Sequence, residues 1–264
     1  MCGIAGYSLS ARSDVDRTLA AQALLAGIAE RGADAAGYAY RGDRRDGRVT
    51  VHKRRAGASV LLGELYVPSE ATQTLVHVRD YTKGHPTIAA NNHPIRHGAV
   101  VGIHNGVIRN DEELFASHAI DRYEPEMTVD SEIIFALAER SRGRTAEALE
   151  TLRGSMATAW LDEGRPELML ARGVGRPLWL GRARREVFFA STRHALELVE
   201  RYLRIALRKT EVAAGALLAV DGATIVGEER FRADDSFEEN PLPPVRAPLE
   251  GAWCLERLAA LAAA

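Results

Sequence analysis

Lysine is almost absent from this chain: Lys53, Lys83 and Lys209 are the only ones, and arginine supplies nearly all of the positive charge. Acidic residues offset it, leaving a net charge of -2 over 264 residues. That balance excludes a strongly basic surface of the kind that binds nucleic acid or an anionic membrane. Cysteine is equally scarce. Cys2 and Cys254 cannot build a disulfide framework, and they suit a reducing compartment in which a thiol nucleophile survives. No run of about 18 apolar residues appears, which argues against a membrane-spanning helix. No basic leader followed by an apolar segment opens the chain. The expectation is a cytoplasmic protein with no nucleic acid and no membrane among its partners.

Apolar residues make up 46% of the chain, enough for a sizeable core. A first strand is expected over Ile4–Ser8, then a helix in SDVDRTLAAQALLAGIAERG, capped by Ser13 and ended by Gly32. AAGYAYRG and RVTVHKRRAG read as two strands around the charged turn GDRRDG, with a short helix in SVLLGEL. The strand TLVHVRD is followed by a long polar loop, DYTKGHPTIAANNHPIRHG, and loops of that length are usually functional. After the strand AVVGI, helices are expected in DEELFASH, TVDSEIIFALAERS and RTAEALETLRG. Then come the strands MATAWLDE, ELMLAR, PLWLG and VFFAS, the helix TRHALELVERYL, and the strands GALLAVDG and ATIVGEERF. Strands that pair locally, with helices set between them, suggest antiparallel sheets covered by helices. Residues 1–231 form the expected domain, and residues 232–264 a proline-rich strap and an apolar tail that docks on a partner or on the domain itself.

The chain begins MCGIAGY. A residue as small as cysteine at the second position lets the initiator methionine be trimmed, leaving Cys2 with a thiol and a free α-amine on one residue. The thiol has an ordinary pKa of about 8.5 and the amine about 7.7–8.0, so the amine can serve as the base for the thiol. No histidine is then required. Five of the eight histidines, His77, His85, His93, His97 and His104, crowd one stretch, but Pro94 breaks the helical spacing of His93 and His97. No zinc-type ligand spacing results, and neither a metal nor a cofactor is expected.

Four further motifs follow the cysteine in order: RGADAAG from Arg31, HVRDYTKG from His77, IHNG from Ile103 and VDSE from Val129. Together with MCGIAGY they resemble the class II glutamine amidotransferases, the N-terminal-nucleophile glutaminase domains found in glucosamine-6-phosphate synthase, asparagine synthetase and the first enzyme of purine synthesis. The likeness is strongest to the glucosamine-6-phosphate synthase type and runs to about Glu229. It implies an α+β fold, a four-layer αββα Ntn-hydrolase sandwich with two antiparallel sheets. It also implies attack of Cys2 on the side-chain amide of L-glutamine and hydrolysis of a thioester to glutamate and ammonia. By the same resemblance Asn105 and Gly106 form the oxyanion hole, although Asn-Gly after a strand is also a common hairpin turn. Arg79 would clamp the α-carboxylate of glutamine with its planar fork of donors, and Asp130 would take the α-ammonium. Thr82 belongs to the same glutamine loop. Arg31 and Gly32 would pack beside the nucleophile and orient it, and Asp34 would hold their loop.

The likeness has gaps. Where the relatives read Arg-Trp-x-Thr-His-Gly, this chain has Arg79, Asp80, Tyr81, Thr82, Lys83 and Gly84, so the loop lacks its tryptophan and its histidine. Closure over glutamine is therefore expected to draw on contacts from another protein, a separately encoded ammonia-accepting synthase or ligase, with the strap and tail as docking element. The oligomeric state is left open. Two other readings share the same motifs: a silent glutamine-binding regulatory module, and an Ntn amidase or acylase of other specificity.

Overall fold

A computed structural model describes residues 2–42, 47–141, 143–238 and 243–263. Met1, most of the charged turn after Gly42 and Pro241 in the strap lie outside the described residues. The strands are β1 (Gly3–Leu9), β2 (Ala35–Arg41), β3 (Val49–Arg54), β4 (Gln73–Arg79), β5 (Ile95–His97), β6 (Val100–Ile108) and β7 (Gly154–Asp162). They continue with β8 (Leu168–Arg172), β9 (Trp179–Arg182), β10 (Glu186–Ala190), β11 (Arg208–Glu211), β12 (Ala216–Asp221) and β13 (Thr224–Arg230). The helices are α1 (Arg17–Ile28), α2 (Ala58–Leu62), α3 (Asp111–Ser117), α4 (Glu132–Arg140), α5 (Thr145–Leu149), α6 (Arg193–Leu203) and α7 (Pro248–Leu261).

One sheet runs in the order β11-β9-β10-β1-β4-β2-β3, and the other β13-β12-β8-β7-β6-β5. Every pairing between these strands is antiparallel. Strand alternation decides the layers. Ile4 and Leu75 of the first sheet meet Val101, Ile103, Ala157 and Ala159 of the second in a shared core. On the outer face of the first sheet, Tyr7 and Val76 pack with Leu24 of α1, Leu61 of α2, Leu196 of α6 and Leu258 of α7. On the outer face of the second, Met156 and Trp160 pack with Phe115, Phe135 and Leu149 of α3, α4 and α5. The result is the expected sandwich of two antiparallel sheets between helical layers. No helix among the described residues is long and apolar enough to cross a membrane.

Several local expectations are corrected. The first helix is capped by Asp16, whose side chain accepts from Leu19 N, while Ser13 Oγ donates to Glu186 Oε1 at 2.6 Å. The polar loop after Arg79 is not bare, since a 3-10 turn (Ala89–Asn91) and β5 lie within it. Asn105 and Gly106 do not form a hairpin turn. They lie inside β6, paired with Ala157 and Met156 of β7. The tail folds back as α7 onto α1, α2 and the 3-10 turn Ala29–Arg31 of its own chain.

Candidate functional site

Cys2 leads into β1, the middle strand of the seven-stranded sheet. Arg31 Nε donates to the Cys2 carbonyl at 2.9 Å, and Cys2 Sγ lies 3.5 Å from the Asp80 carbonyl at the end of β4. Burial pushes the thiol above its ordinary value, opposed by the Asp80 carbonyl contact and by Arg79. Gly32 makes this closeness feasible: a Cβ there would stand 2.4 Å from the Arg79 carbonyl oxygen and 2.6 Å from Asp80 N. Only a hydrogen fits. Asp34 then staples the two segments, its N–H donating to the Arg79 carbonyl at 3.0 Å and its Oδ2 accepting from Tyr81 N at 2.8 Å.

Arg79 is 2% exposed. Its guanidinium donates to Asn92 Oδ1 at 2.6 Å, to the Lys83 carbonyl at 2.9 Å and to the Gly84 carbonyl. Burial lowers the guanidinium from its ordinary value while Cys2, Asp130 and Asp34 favour its charge, so the cation stands in the field of three candidate site residues. Beyond it, Lys83 Nζ pairs with Asp111 Oδ2 at 2.5 Å and Glu112 Oε1 at 3.2 Å on the first turn of α3. Asp80 Oδ2 pairs with Arg246 Nε at 3.2 Å. Asp80 and Lys83, the two residues expected to draw contacts from another protein, each hold an ion pair within this chain. Tyr81 is half exposed and edge-on to His85, while Thr82 is exposed and makes no side-chain hydrogen bond among the described residues.

Asn105 is fully buried on β6, its Nδ2 3.5 Å from Ser191 Oγ and its Oδ1 without a partner among the described residues. An amide held so lightly in the interior is free to donate to a new acceptor. Ser191 escaped the sequence reading. Its Oγ accepts from Ile4 N at 3.0 Å and its N–H donates to the Ile4 carbonyl at 2.8 Å, so it links Asn105 of one sheet to the strand that carries Cys2 in the other. Gly106 admits no side chain, because a Cβ would lie 2.0 Å from the Ser155 carbonyl oxygen. Asp130, just before α4, accepts from Ile108 N at 2.7 Å, and burial raises its carboxyl to about 6. Asn92 and Asn91 were missed as well. Asn92 holds Arg79, and Asn91 Oδ1 accepts from Thr128 N and Val129 N, tying the glutamine loop to the segment that carries Asp130.

The clustered histidines serve structure. His77 Nε2 donates to the His104 carbonyl at 3.1 Å and its ring stacks on His93, while His104 Nδ1 meets Ser131 Oγ at 2.8 Å. Burial drives His77 and His104 down to about 3, so both are neutral. Among the described residues no group of three or more His, Cys, Asp or Glu is arranged to hold a metal ion.

Residues 72–198 match the model of a family described as "Glutamine amidotransferase domain". The glutamine–fructose-6-phosphate aminotransferase (isomerizing) of Escherichia coli K12 is 33% identical over 213 residues, 76% of this chain and 33% of that protein. Its Caulobacter vibrioides counterpart is 32% identical over 199 residues, 72% of this chain and 32% of the relative. The chain spans about one third of the length of these curated relatives. Among solved structures, glutamine phosphoribosylpyrophosphate amidotransferase from B. subtilis superposes with a TM-score of 0.68 at 20% identity, over 87% of this chain and 49% of that one. A glutamine aminotransferase class-II domain protein from Silicibacter pomeroyi gives 0.55 at 19% identity, over 87% and 99%. The matched segment includes Arg79, Asn105, Gly106 and Asp130. This chain carries a class II, N-terminal-nucleophile glutamine amidotransferase domain of the glucosamine-6-phosphate synthase type.

Proposed function

We propose that this chain hydrolyses L-glutamine through a thioester on Cys2 and passes the ammonia to an acceptor enzyme on another chain. The observation that carries the first part is the placing of Cys2: its carbonyl is held by Arg31, and its thiol is turned to the loop that leaves Arg79. With Met1 removed, the α-amine takes the thiol proton and the sulfur attacks the side-chain carbonyl carbon of glutamine. The developing oxyanion is received by Asn105 Nδ2 and Gly106 N–H. The nitrogen leaves as ammonia, carrying the proton returned by the amine. Water activated by the same amine then splits the thioester to glutamate and the free thiol. Arg79 fixes the α-carboxylate of the substrate and Asp130 its α-ammonium. No step in this sequence calls for a metal or an organic cofactor.

The second part is supported by the similarity to glutamine–fructose-6-phosphate aminotransferases, enzymes named for passing the nitrogen of glutamine to an acceptor. The test is glutamate release by the purified chain, with the mass of its N-terminus read in parallel. Turnover with Met1 removed supports the reading. A trimmed protein that binds glutamine without turnover would be a silent module instead, and hydrolysis of N-acyl substrates in preference to glutamine would make it an acylase. For the acceptor, kcat/KM should rise when the ammonia-consuming enzyme is added, and an unchanged value would refute delivery between chains.

A further inference from the structure

The C-terminal segment reaches back to the nucleophile. Arg246 N and Ala247 N both donate to the Glu30 carbonyl at 2.8 Å. That carbonyl immediately precedes Arg31, which holds Cys2. Arg246 Nε also pairs with the carboxylate of Asp80, whose carbonyl meets the Cys2 thiol. A single arginine therefore grips, by main chain and side chain, the two segments between which Cys2 lies. Its own footing is fixed. Glu250 at the start of α7 accepts from Ser59 N at 2.9 Å and Ser59 Oγ at 3.1 Å, and Cys254 and Leu258 are fully buried.

We infer that Arg246 is a positioning residue for the Cys2 nucleophile: it holds Asp80, whose carbonyl meets the thiol, and answers the charge of its carboxylate, so the chain's own C-terminal segment completes the nucleophile site. A half-exposed ion pair contributes little when both side chains must be ordered for it. Here the arginine backbone is already hydrogen-bonded in place, so less freedom is lost when the pair forms. Among the described residues Arg79 favours the thiolate and the Asp80 carboxylate at the end of β4 opposes it; Arg31 on the turn after α1 lies beside them, Arg246 on the strap answers Asp80, and the α-amine of a trimmed Cys2 adds its own positive charge. Without Arg246, the Asp80 carboxylate faces the thiol less compensated and disfavours the thiolate.

The inference rests on the glutaminase reading only in calling Cys2 a nucleophile, and its test needs no glutamine. Alkylation of Cys2 by iodoacetamide is followed by peptide mass spectrometry on the full chain, across the range around the ordinary thiol value of about 8.5. Arg246→Met should slow alkylation at neutral pH about two- to fivefold and move its midpoint upward, the size expected for one such pair. Arg246→Lys should keep the wild-type rate and midpoint. Asp80→Asn, which breaks the pair without touching the strap, should move the midpoint downward, and added to Arg246→Met it should reverse that variant's shift. Wild-type rate and midpoint in Arg246→Met, whatever its melting temperature, would overturn the inference and leave the arginine as a fastening for α7. Alkylation that depends on Arg246 in a protein that never turns over glutamine would sink the glutaminase reading alone.

Discussion

Asp130 is 3% exposed, and burial, reinforced by Asp111, raises its carboxyl from an ordinary 3.8 to about 6. The Ile108 N–H and Lys83 pull the other way and do not win. Such a group is half protonated near pH 6 and about nine-tenths protonated at pH 5. If its carboxylate receives the α-ammonium of glutamine, binding must displace that proton. KM should then rise about twofold at pH 6 and about tenfold at pH 5 relative to pH 8. The same shift has a sign for stability. The folded value lies above the unfolded one, so this group favours folding most below about pH 4, and the benefit is lost as the pH rises through about 6. Two units correspond to roughly 3 kcal/mol at neutral pH, an upper bound because Arg79 and Lys83 gain from the nearby anion. Asp130→Asn keeps an acceptor for the Ile108 N–H and removes the buried charge. At pH 7.5 it should melt higher than wild type by about 2–4 °C for each kcal/mol recovered. That advantage should vanish towards pH 4, while KM becomes large and insensitive to pH. Initial rates and thermal melts across pH read both arms. A KM flat from pH 8 to 5, or an Asn variant that binds glutamine as wild type does, would refute the reasoning and leave Asp130 as a strut before α4.

Cys2→Ala should abolish turnover, and a diazoketone analogue of glutamine should label the wild type once, at Cys2, by peptide mass spectrometry. Cys254 should stay unlabelled because it is fully buried and burial pushes its thiol to about 12. Asn105→Ala should lower kcat about 10²–10³-fold with KM nearly unchanged in steady-state kinetics, the cost of one preorganised donor. Ser191→Ala, which frees Asn105 and the Ile4 N–H from their shared partner, should cost about two- to tenfold in kcat, the span of one lost hydrogen bond. Lys83→Ala cuts the tie to Asp111 and should raise KM while leaving kcat in place, with faster amide exchange across residues 80–85.

Motifs within a few residues were readable in the chain, and features closed by distant residues were not. Cys2, Arg31, Arg79 and Asp130 stand in short patterns that survive without knowledge of the fold. The Asn-Gly pair carried a local preference for a turn, yet β6 runs through it because β7 pairs with it on the far side of α3, α4 and α5, and local propensity yields to such pairing. The edge strand β11 went unseen because RKTE has no apolar alternation, which is how an exposed edge is kept from further pairing. Ser13 was a plausible cap until its hydroxyl found Glu186, and Asp16 took the role.

The glutamine loop shows the same limit from the side of function. Its sequence has Asp80 and Lys83 where the relatives have a tryptophan and a histidine, and two charges in that loop read as an interface for something else. The replacement partners lie 166 residues away for Asp80 and 28 for Lys83, too far for any local pattern to join them. Opposite charge was the available clue: Arg246 sits in an acidic, proline-rich stretch. Two charges have been exchanged for two apolar or aromatic contacts, and a partner protein is not required to explain them, because each charge has an answering one on this chain. An acceptor enzyme that engages the charges of this loop must therefore compete with Arg246 for Asp80 or with Asp111 for Lys83.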